Sequence, residues 1–351
     1  MHNDAVGPSH KAVTIYDISR LSGVSPATVS RVLSGSARVS EAKRKAVLQA
    51  VKNSGFTPNA LAQSLASSQT HTIGFIVPDI KNPYFSSIYY HVEILASQNG
   101  YSVLLANSRG DFANESKLLG ALTGRRADAI VFMGGRTDAY QCSEEGVQEL
   151  EKANQLVPLL LTSRVESTSI PQLCSNEDGA ISALMRHLSE QGCKTFAVLG
   201  GTEEVRVLHH RRALMLEYGH QFGMETRPEW MITNTSFSIE GGKQAAAQLC
   251  ETASLPDAAC CMNDTIAVGA LQQLRCCGKR VPEDILLTGF DGEFLSDIVY
   301  PGITTAEFDY PDFAQRVFDL LMKRIHREPC APVTEIYPHL TVRGSTQRNK
   351  T

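Results

Sequence analysis

The sequence predicts an α/β protein: a small all-α unit at the N-terminus followed by doubly wound parallel sheets. Three observations predict it. Residues 14–33 hold two short helical segments around a glycine, spaced as a helix-turn-helix. From Ile73 onward, apolar runs alternate with amphipathic stretches, the order of a repeated strand-helix unit. Charge is divided as well: residues 1–72 hold eight Lys and Arg against three Asp and Glu, and the remainder holds 25 against 34. A formal net charge of −4 therefore conceals a cationic N-terminal unit, and a local positive excess is what attraction to phosphate requires.

In the N-terminal unit, Thr14 can cap a first helix through Tyr16, Ile18 and Leu21, and Gly23 supplies the tight turn. Ser25 is placed to cap a second helix with Pro26 at its first position, where the missing N–H costs nothing. On that helix Val29 and Leu33, four apart, are expected to face inward. Ala27, Thr28, Ser30 and Arg31 then face out, small or hydrogen-bonding groups with one guanidinium able to grip a guanine edge or a phosphate. Ser40 opens a third helix through Ala46, Val47, Ala50 and Val51, and Gly55 closes it. The following segment Asn59–Ala66 is too short to persist alone as a helix in water.

The 351 residues, 42% of them apolar, can bury a large core, and about 280 of them follow residue 71. No apolar run is long enough to span a bilayer, and the first residues lack the charged-then-apolar pattern of an export signal, so the expected location is the cytoplasm. Nine cysteines without a Cys-x-x-Cys spacing read as reduced thiols rather than a zinc site, and no metal or cofactor is expected. Strands are expected at Ile73–Val77, Ser102–Ala106, Ala129–Met133, Val157–Leu161, Phe196–Leu199, Ala258–Met262 and Ile285–Thr288. Helices are expected at Tyr84–Gln98, Glu115–Leu122, Gly179–Gln191, His209–Phe222 and Thr265–Cys277. Sheets of this kind bind ligands at the carboxyl ends of their strands, and those ends carry Asp79, Tyr84-Phe85, Asn263-Asp264 and Phe290-Asp291.

Three stretches, V-T-I-Y-D-I from Val13, G-V-S-P-A-T-V-S-R-V-L from Gly23 and P-N-A-L-A-Q-S-L-A from Pro58, resemble the DNA-binding headpiece and hinge of the lactose-repressor (LacI/GalR) family of bacterial transcription regulators. The resemblance extends to the closing H-L-T-V-R-G-S-T. It implies a helix-turn-helix headpiece at 1–58, with 1–12 disordered, a hinge helix and linker at 59–71, and an effector-binding and dimerisation core at 72–351. That core resembles periplasmic sugar-binding proteins, two lobes closing over a small molecule. The DNA-contacting positions it implies are Thr14, Ser25, Pro26, Ala27, Thr28, Ser30 and Arg31, with Asn59, Gln63 and Leu65 in the hinge. Leu65 matches the leucine such proteins wedge into a central base step.

In the core, the resemblance implies a cleft lined by Asp79, Phe85, Arg211, Phe237, Asn263 and Asp291, a set suited to a carbohydrate. Rings cover the C–H face of a sugar while carboxylates, an amide and an arginine pair with its hydroxyls. The residues alone leave alternatives open: Phe85 and Phe237 as core aromatics, Asp79 and Asn263 as helix caps. Asp264 is expected to cap the helix that follows it. Asp291, an acid directly after a buried strand, needs a partner.

The chain departs from the family in three places. Gly292 stands where a second acid is common, Ser163 where several sugar binders have an aspartate, and His209-His210-Arg211-Arg212 replaces the usual Arg-Leu-x-Gly. The last leaves open which arginine reaches the effector, and whether that effector is a sugar, a sugar phosphate or a sugar acid. No phosphate loop or Ser-His-Asp signature points to an enzyme. The expectation is a homodimeric repressor of carbohydrate uptake or catabolism genes, released from a near-palindromic operator by its effector. A corepressor-dependent regulator, or a sugar-binding receptor without DNA function, are the alternatives.

Overall fold

Among the described residues, three helices build the first of two compact units, Met1–Thr70; the second is His71–Thr351. The computed structural model describes residues 13–33, 39–56 and 69–348. Helix α1, Ile15–Ser22, opens on a capping box, with the Asp17 N–H donating to Thr14 Oγ1 and the Thr14 N–H to Asp17 Oδ2. Gly23 closes it at φ 68, a left-handed position, and Ser19 Oγ ties the turn by donating to the Val24 carbonyl at 2.6 Å. Helix α2, Pro26–Leu33, starts on Ser25, whose Oγ accepts the Thr28 N–H. Helix α3, Glu41–Ser54, has Ser40 at its N-cap, though the serine side chain makes no capping bond there. Ile18, Val29, Val32, Val47 and Ala50 form the core of this unit. The inward stripe of α2 is thus Val29 and Val32, with Leu33 half-buried, because three converging helices enclose the i+3 position more fully than the i+4.

The second unit holds two six-stranded sheets. In the first, β11-β5-β4-β3-β1-β2, every pairing is parallel. Its strands are β1 Thr72–Val77, β2 Ser102–Asn107, β3 Ala129–Phe132, β4 Leu159–Leu161, β5 Gln172–Ser175 and β11 Val333–Ile336. The second sheet, β12-β10-β9-β8-β6-β7, is parallel except for β12 at its edge. It is built from β6 Phe196–Leu199, β7 Met231–Ile232, β8 Ala258–Cys261, β9 Leu286–Asp291, β10 Thr304–Glu307 and β12 His339–Thr341. In each sheet the chain winds outward in both directions from a first strand, β1 or β6, and that reversal opens a crevice at the carboxyl ends.

Helices cover the sheets: α4 Pro83–Gln98, α5 Phe112–Gly124, α6 Glu144–Leu156, α7 Asp178–Glu190, α8 Arg206–Gln221, α9 Ile239–Glu251, α10 Asp264–Cys276, α11 Phe294–Ile298 and α12 Tyr310–Ile325. Their starts follow the caps. Asn82 Oδ1 accepts the Tyr84 N–H at 3.0 Å and opens α4, so Asp79 is not its cap. Asp111 Oδ1 accepts the Asn114 N–H and starts α5 three residues before Glu115.

The chain crosses between the sheets three times, after β5, after β10 and after β11, which makes two lobes. A cluster of buried apolar residues runs through both, and a second fills the outer face of the first lobe. All nine cysteines are free thiols, those on β8 buried. No helix among the described residues is long and apolar enough to cross a membrane.

Candidate nucleic-acid interface and effector cleft

On the first unit, Ala27 and Arg31 are exposed along α2, while Pro26, Thr28 and Ser30 are half-buried beside them. Ser25 is exposed, its hydroxyl 3.0 Å from that of Thr28. Thr14 is exposed at the start of α1, its hydroxyl donating to Asp17 at 2.7 Å. Tyr16 and Leu21, placed on the first helix with Ile18 by the sequence, are exposed, as is Leu48. Asn59, Gln63 and Leu65 lie outside the described residues.

The cleft of the second unit is organised around Arg211, one helical turn into α8 and buried. Its Nε donates to Glu177 Oε2 at 2.9 Å, and Nη2 to Glu177 Oε1 at 2.8 Å and Asp291 Oδ1 at 3.0 Å. Nη1 donates to the Met262 carbonyl at the end of β8, and the guanidinium lies 3.5 Å over the Phe290 ring. Asp291 thus has the partner its position demanded. Glu177 stands on the first crossing between the lobes, and Tyr310, on the second, donates its hydroxyl to the Asp291 carbonyl at 2.9 Å. Burial alone would lower the Arg211 guanidinium, but the two carboxylates outweigh it and hold the charge in place. Burial raises the Asp291 carboxyl to about 6 against the pull of Arg211. Asp291 adopts φ 97, a strained backbone for a residue with a side chain, and such strain collects at functional sites.

Arg212, one residue on, is directed elsewhere. It pairs with Glu203 at 2.6 Å and 3.2 Å and reaches His209 Nδ1 at 3.2 Å. Gly292 has its own reason: at φ 70, a Cβ there would come within 2.3 Å of the Glu307 side chain, so an acid does not fit this backbone.

The remaining expected residues stand at neighbouring strand ends. Phe85 is half-buried and lies close to Gly134 after β3, where a Cβ would meet its ring at 3.2 Å. Phe237, also half-buried, approaches Gly201 after β6 in the same way, at 3.1 Å. Asn263 is buried and caps α10, its Oδ1 accepting the Ile266 N–H at 2.8 Å. Asp79 is exposed in the turn after β1, where Oδ1 accepts the Lys81 N–H at 3.0 Å.

Asp264 corrects the expectation of a cap. Asn263 takes that role, and Asp264 turns inward, fully buried, with Oδ2 accepting the Glu293 N–H at 2.7 Å. Its Oδ1 has no partner among the described residues, and burial followed by the Asp291 charge drives its carboxyl well above the ordinary range. Glu293, equally buried, is pushed up to about 9 by burial and by Asp291 and Asp264.

Sequence reasoning missed Glu177, Asp138 and Glu293, and named Tyr84 only as a residue at a strand end. Tyr84 neighbours the expected Phe85, but the charges of Asp291, Asp138 and Arg211 act on its phenol, whose pKa burial raises first. Asp138 follows the short 3-10 turn Gly135–Thr137 after β3, in a loop without any motif. Burial raises its carboxyl against the opposing pull of Ser163, the serine found where the resemblance suggested an acid, and the Ser163 hydroxyl lies 3.4 Å from that of the adjacent Thr137.

A helix-turn-helix unit joined to two α/β lobes around a charged cleft defines a ligand-responsive DNA-binding transcription regulator. Residues 14–59 match the model of bacterial regulatory proteins, lacI family, and residues 185–346 that of a periplasmic binding protein-like domain. The chain is 32% identical over 343 residues to catabolite control protein A of Priestia megaterium, covering 95% of this chain and 99% of that protein. It is 31% identical to the ribose operon repressor of Halalkalibacterium halodurans, with 95% and 97% covered. Among solved structures, the lac repressor dimer bound to operator and an anti-inducer matches with a TM-score of 0.86, covering 96% of this chain and 100% of that one at 24% identity. The CelR–cellobiose complex matches with a TM-score of 0.69, covering 95% and 99%, at 26% identity. The chain belongs to the lacI family of bacterial transcription regulators, and its named relatives are regulators, not enzymes.

Proposed function

We propose that this regulator represses genes of carbohydrate uptake or catabolism in the cytoplasm, where DNA is within reach, and leaves its operator when an uncharged sugar enters the cleft. The observation that carries the effector class is the engagement of Arg211 by Glu177 and Asp291. Arg212 and His209 engage Glu203, and Arg211 is held between Glu177 and Asp291, so the cleft presents carboxylates suited to hydroxyl donors. A phosphate or an acid would meet like charge. Relatives named for ribose and cellobiose fit this reading.

Thr14, Ser25, Pro26, Ala27, Thr28, Ser30 and Arg31 are proposed to meet DNA at the headpiece, with Asn59, Gln63 and Leu65 in the hinge. Phe294, Ile298 and Tyr300, large and exposed on and just after α11, support a second copy of the chain as partner, and a two-fold dimer calls for a near-palindromic operator. The sugar would favour one lobe orientation and so change the spacing of the two hinge segments, which lowers operator affinity.

The test is selection of an operator from random duplexes, followed by release in the presence of neutral sugars. Arg31→Ala should weaken the selected duplex and reduce its salt slope by about one. Unchanged affinity and slope would remove α2 from the interface, and tighter binding with sugar would make the ligand a corepressor.

A further inference from the structure

Asp138 sits where the two lobes touch. Its N-terminal neighbours are fixed from below: buried Arg136 pairs with Glu115 at 2.8 Å and with Glu149, and its guanidinium lies 3.8 Å over the Phe112 ring. Gly135 lets the loop pass over this pair, since a Cβ there would stand 1.9 Å from Glu115 Oε1. On the other side, residues 138–140 pair with the start of α8 across the cleft. The Tyr140 N–H donates to the Glu204 carbonyl and the Arg206 N–H to the Asp138 carbonyl, both at 2.7 Å, around an antiparallel bridge between Ala139 and Val205. The Tyr140 ring lies on His209, with centroids 3.9 Å apart and planes at 32°.

The side chain at the centre of this clasp is underused. A carboxylate offers about four acceptor positions, and here the pull of the nearby Ser163 hydroxyl only partly opposes the burial that raises the Asp138 carboxyl. The charges of Arg206, Arg211 and Glu177 act on it. Arg206 Nε, buried, has no hydrogen-bond partner among the described residues. A held carboxylate with spare acceptor capacity and a neighbouring unused N–H donor suit a ligand that carries donor and acceptor on adjacent atoms, as a sugar hydroxyl and ring oxygen do.

We propose that Asp138 is a specificity-determining contact for the effector, brought by the first lobe and set against Arg206 of the second by the backbone clasp at residues 138–140 and 204–206. This rests on the reading of the cleft as a sugar site. Because the clasp spans both lobes, the contact forms in the closed arrangement, and selectivity and the lobe response share one residue.

Calorimetric titration of D-ribose, D-glucose and cellobiose into wild type, Asp138→Asn and Ser163→Ala, each as full-length protein, tests it. Loss of a hydrogen bond to a charged group should weaken the preferred sugar about tenfold to a hundredfold in Asp138→Asn and change the order of preference among the three. Ser163→Ala, which frees the carboxylate to turn, should show a smaller loss in the same order. Melting of the unliganded proteins separates misfolding from lost contact, and Ser163→Ala keeps the test open if Asp138→Asn does not fold. Equal affinities in wild type and Asp138→Asn, or a uniform loss with the order kept, overturn the proposal while leaving the sugar reading intact. Failure of wild type to bind any of the three overturns the sugar reading itself, and this proposal with it.

Discussion

Arg211 and Arg212 are neighbours in sequence and opposites in environment. Arg211 is enclosed between two buried carboxylates, whereas Arg212 pairs with the half-exposed Glu203. Removing one member of a buried ion cluster strands the others, so Arg211→Ala should cost about 3–5 kcal/mol of unfolding free energy. Arg212→Ala should cost less than about 1 kcal/mol, since a solvated pair is screened and holds two mobile chains. Urea unfolding of the two variants checks this, and equal losses would mean that the cluster does not hold the lobes' ends together. The resemblance placed Arg211 and Asp291 among the expected cleft residues, with Arg212 as the rival arginine, and gave no sign of Glu177. Arg211 meets Glu177 across 34 positions and Asp291 across 80, and no spacing rule reaches that far. Asp138 was equally hidden, because a carboxylate in a loop without a motif reads as solvent-facing until the fold brings Ser163 to it.

At the scale of elements, legibility followed apolar content. The seven strands expected from apolar runs all have counterparts, and the expected helices shift by a few residues at their caps. Among the missed strands, β5, β7, β10 and β11 read Q-L-C-S, M-I, T-T-A-E and V-T-E-I, too short or too polar to announce themselves. Helix α9 was missed for another reason. Gly241-Gly242 at its start signals a loop, yet Gly242 brings α9 against α10 while Gly241 packs on the Ser236 backbone. A Cβ at Gly242 would stand 2.1 Å from the Ile266 carbonyl oxygen, and one at Gly269 of α10 would stand 1.9 Å from that of Ile239. Backbone cannot yield as a side chain tip does, so Gly269→Ala should destabilise the second unit by about 1–3 kcal/mol despite the better helix propensity of alanine. A melting temperature equal to or above that of wild type would show that the two helices can separate at little cost.

The whole molecule divides its charge as the sequence foretold, a cationic headpiece ahead of an acidic core, and the acids of that core are not all on its surface. Asp264, Asp291 and Glu293 are buried together at the end of β9 and the start of α10 and α11, and burial raises all three carboxyls. The consequence for stability has a definite sign. In the unfolded chain the Glu293 carboxyl loses its proton near its ordinary value of 4.5; in the folded protein it keeps it to about 9. Between these values the native state binds a proton that the unfolded state lacks, so stability is greatest on the acid side and falls as pH rises. Each retained proton contributes a slope of about 1.4 kcal/mol per pH unit. Asp291, raised to about 6, adds the same sign at lower pH, and His187, lowered by burial, acts oppositely below its ordinary 6.5. The window from pH 6.5 to 8 lies above the Asp291 and His187 values and below that of Glu293, so the Glu293 proton contributes its full slope there. There the melting temperature of wild type should decline with pH, and Glu293→Gln should flatten that decline. Glutamine keeps the shape and can still accept from Thr265, whose hydroxyl donates to Glu293 Oε2 at 2.7 Å. Parallel curves for the two proteins would show that Glu293 is already ionised in the native state, and the unpartnered Oε1 would then be solvated rather than holding its proton.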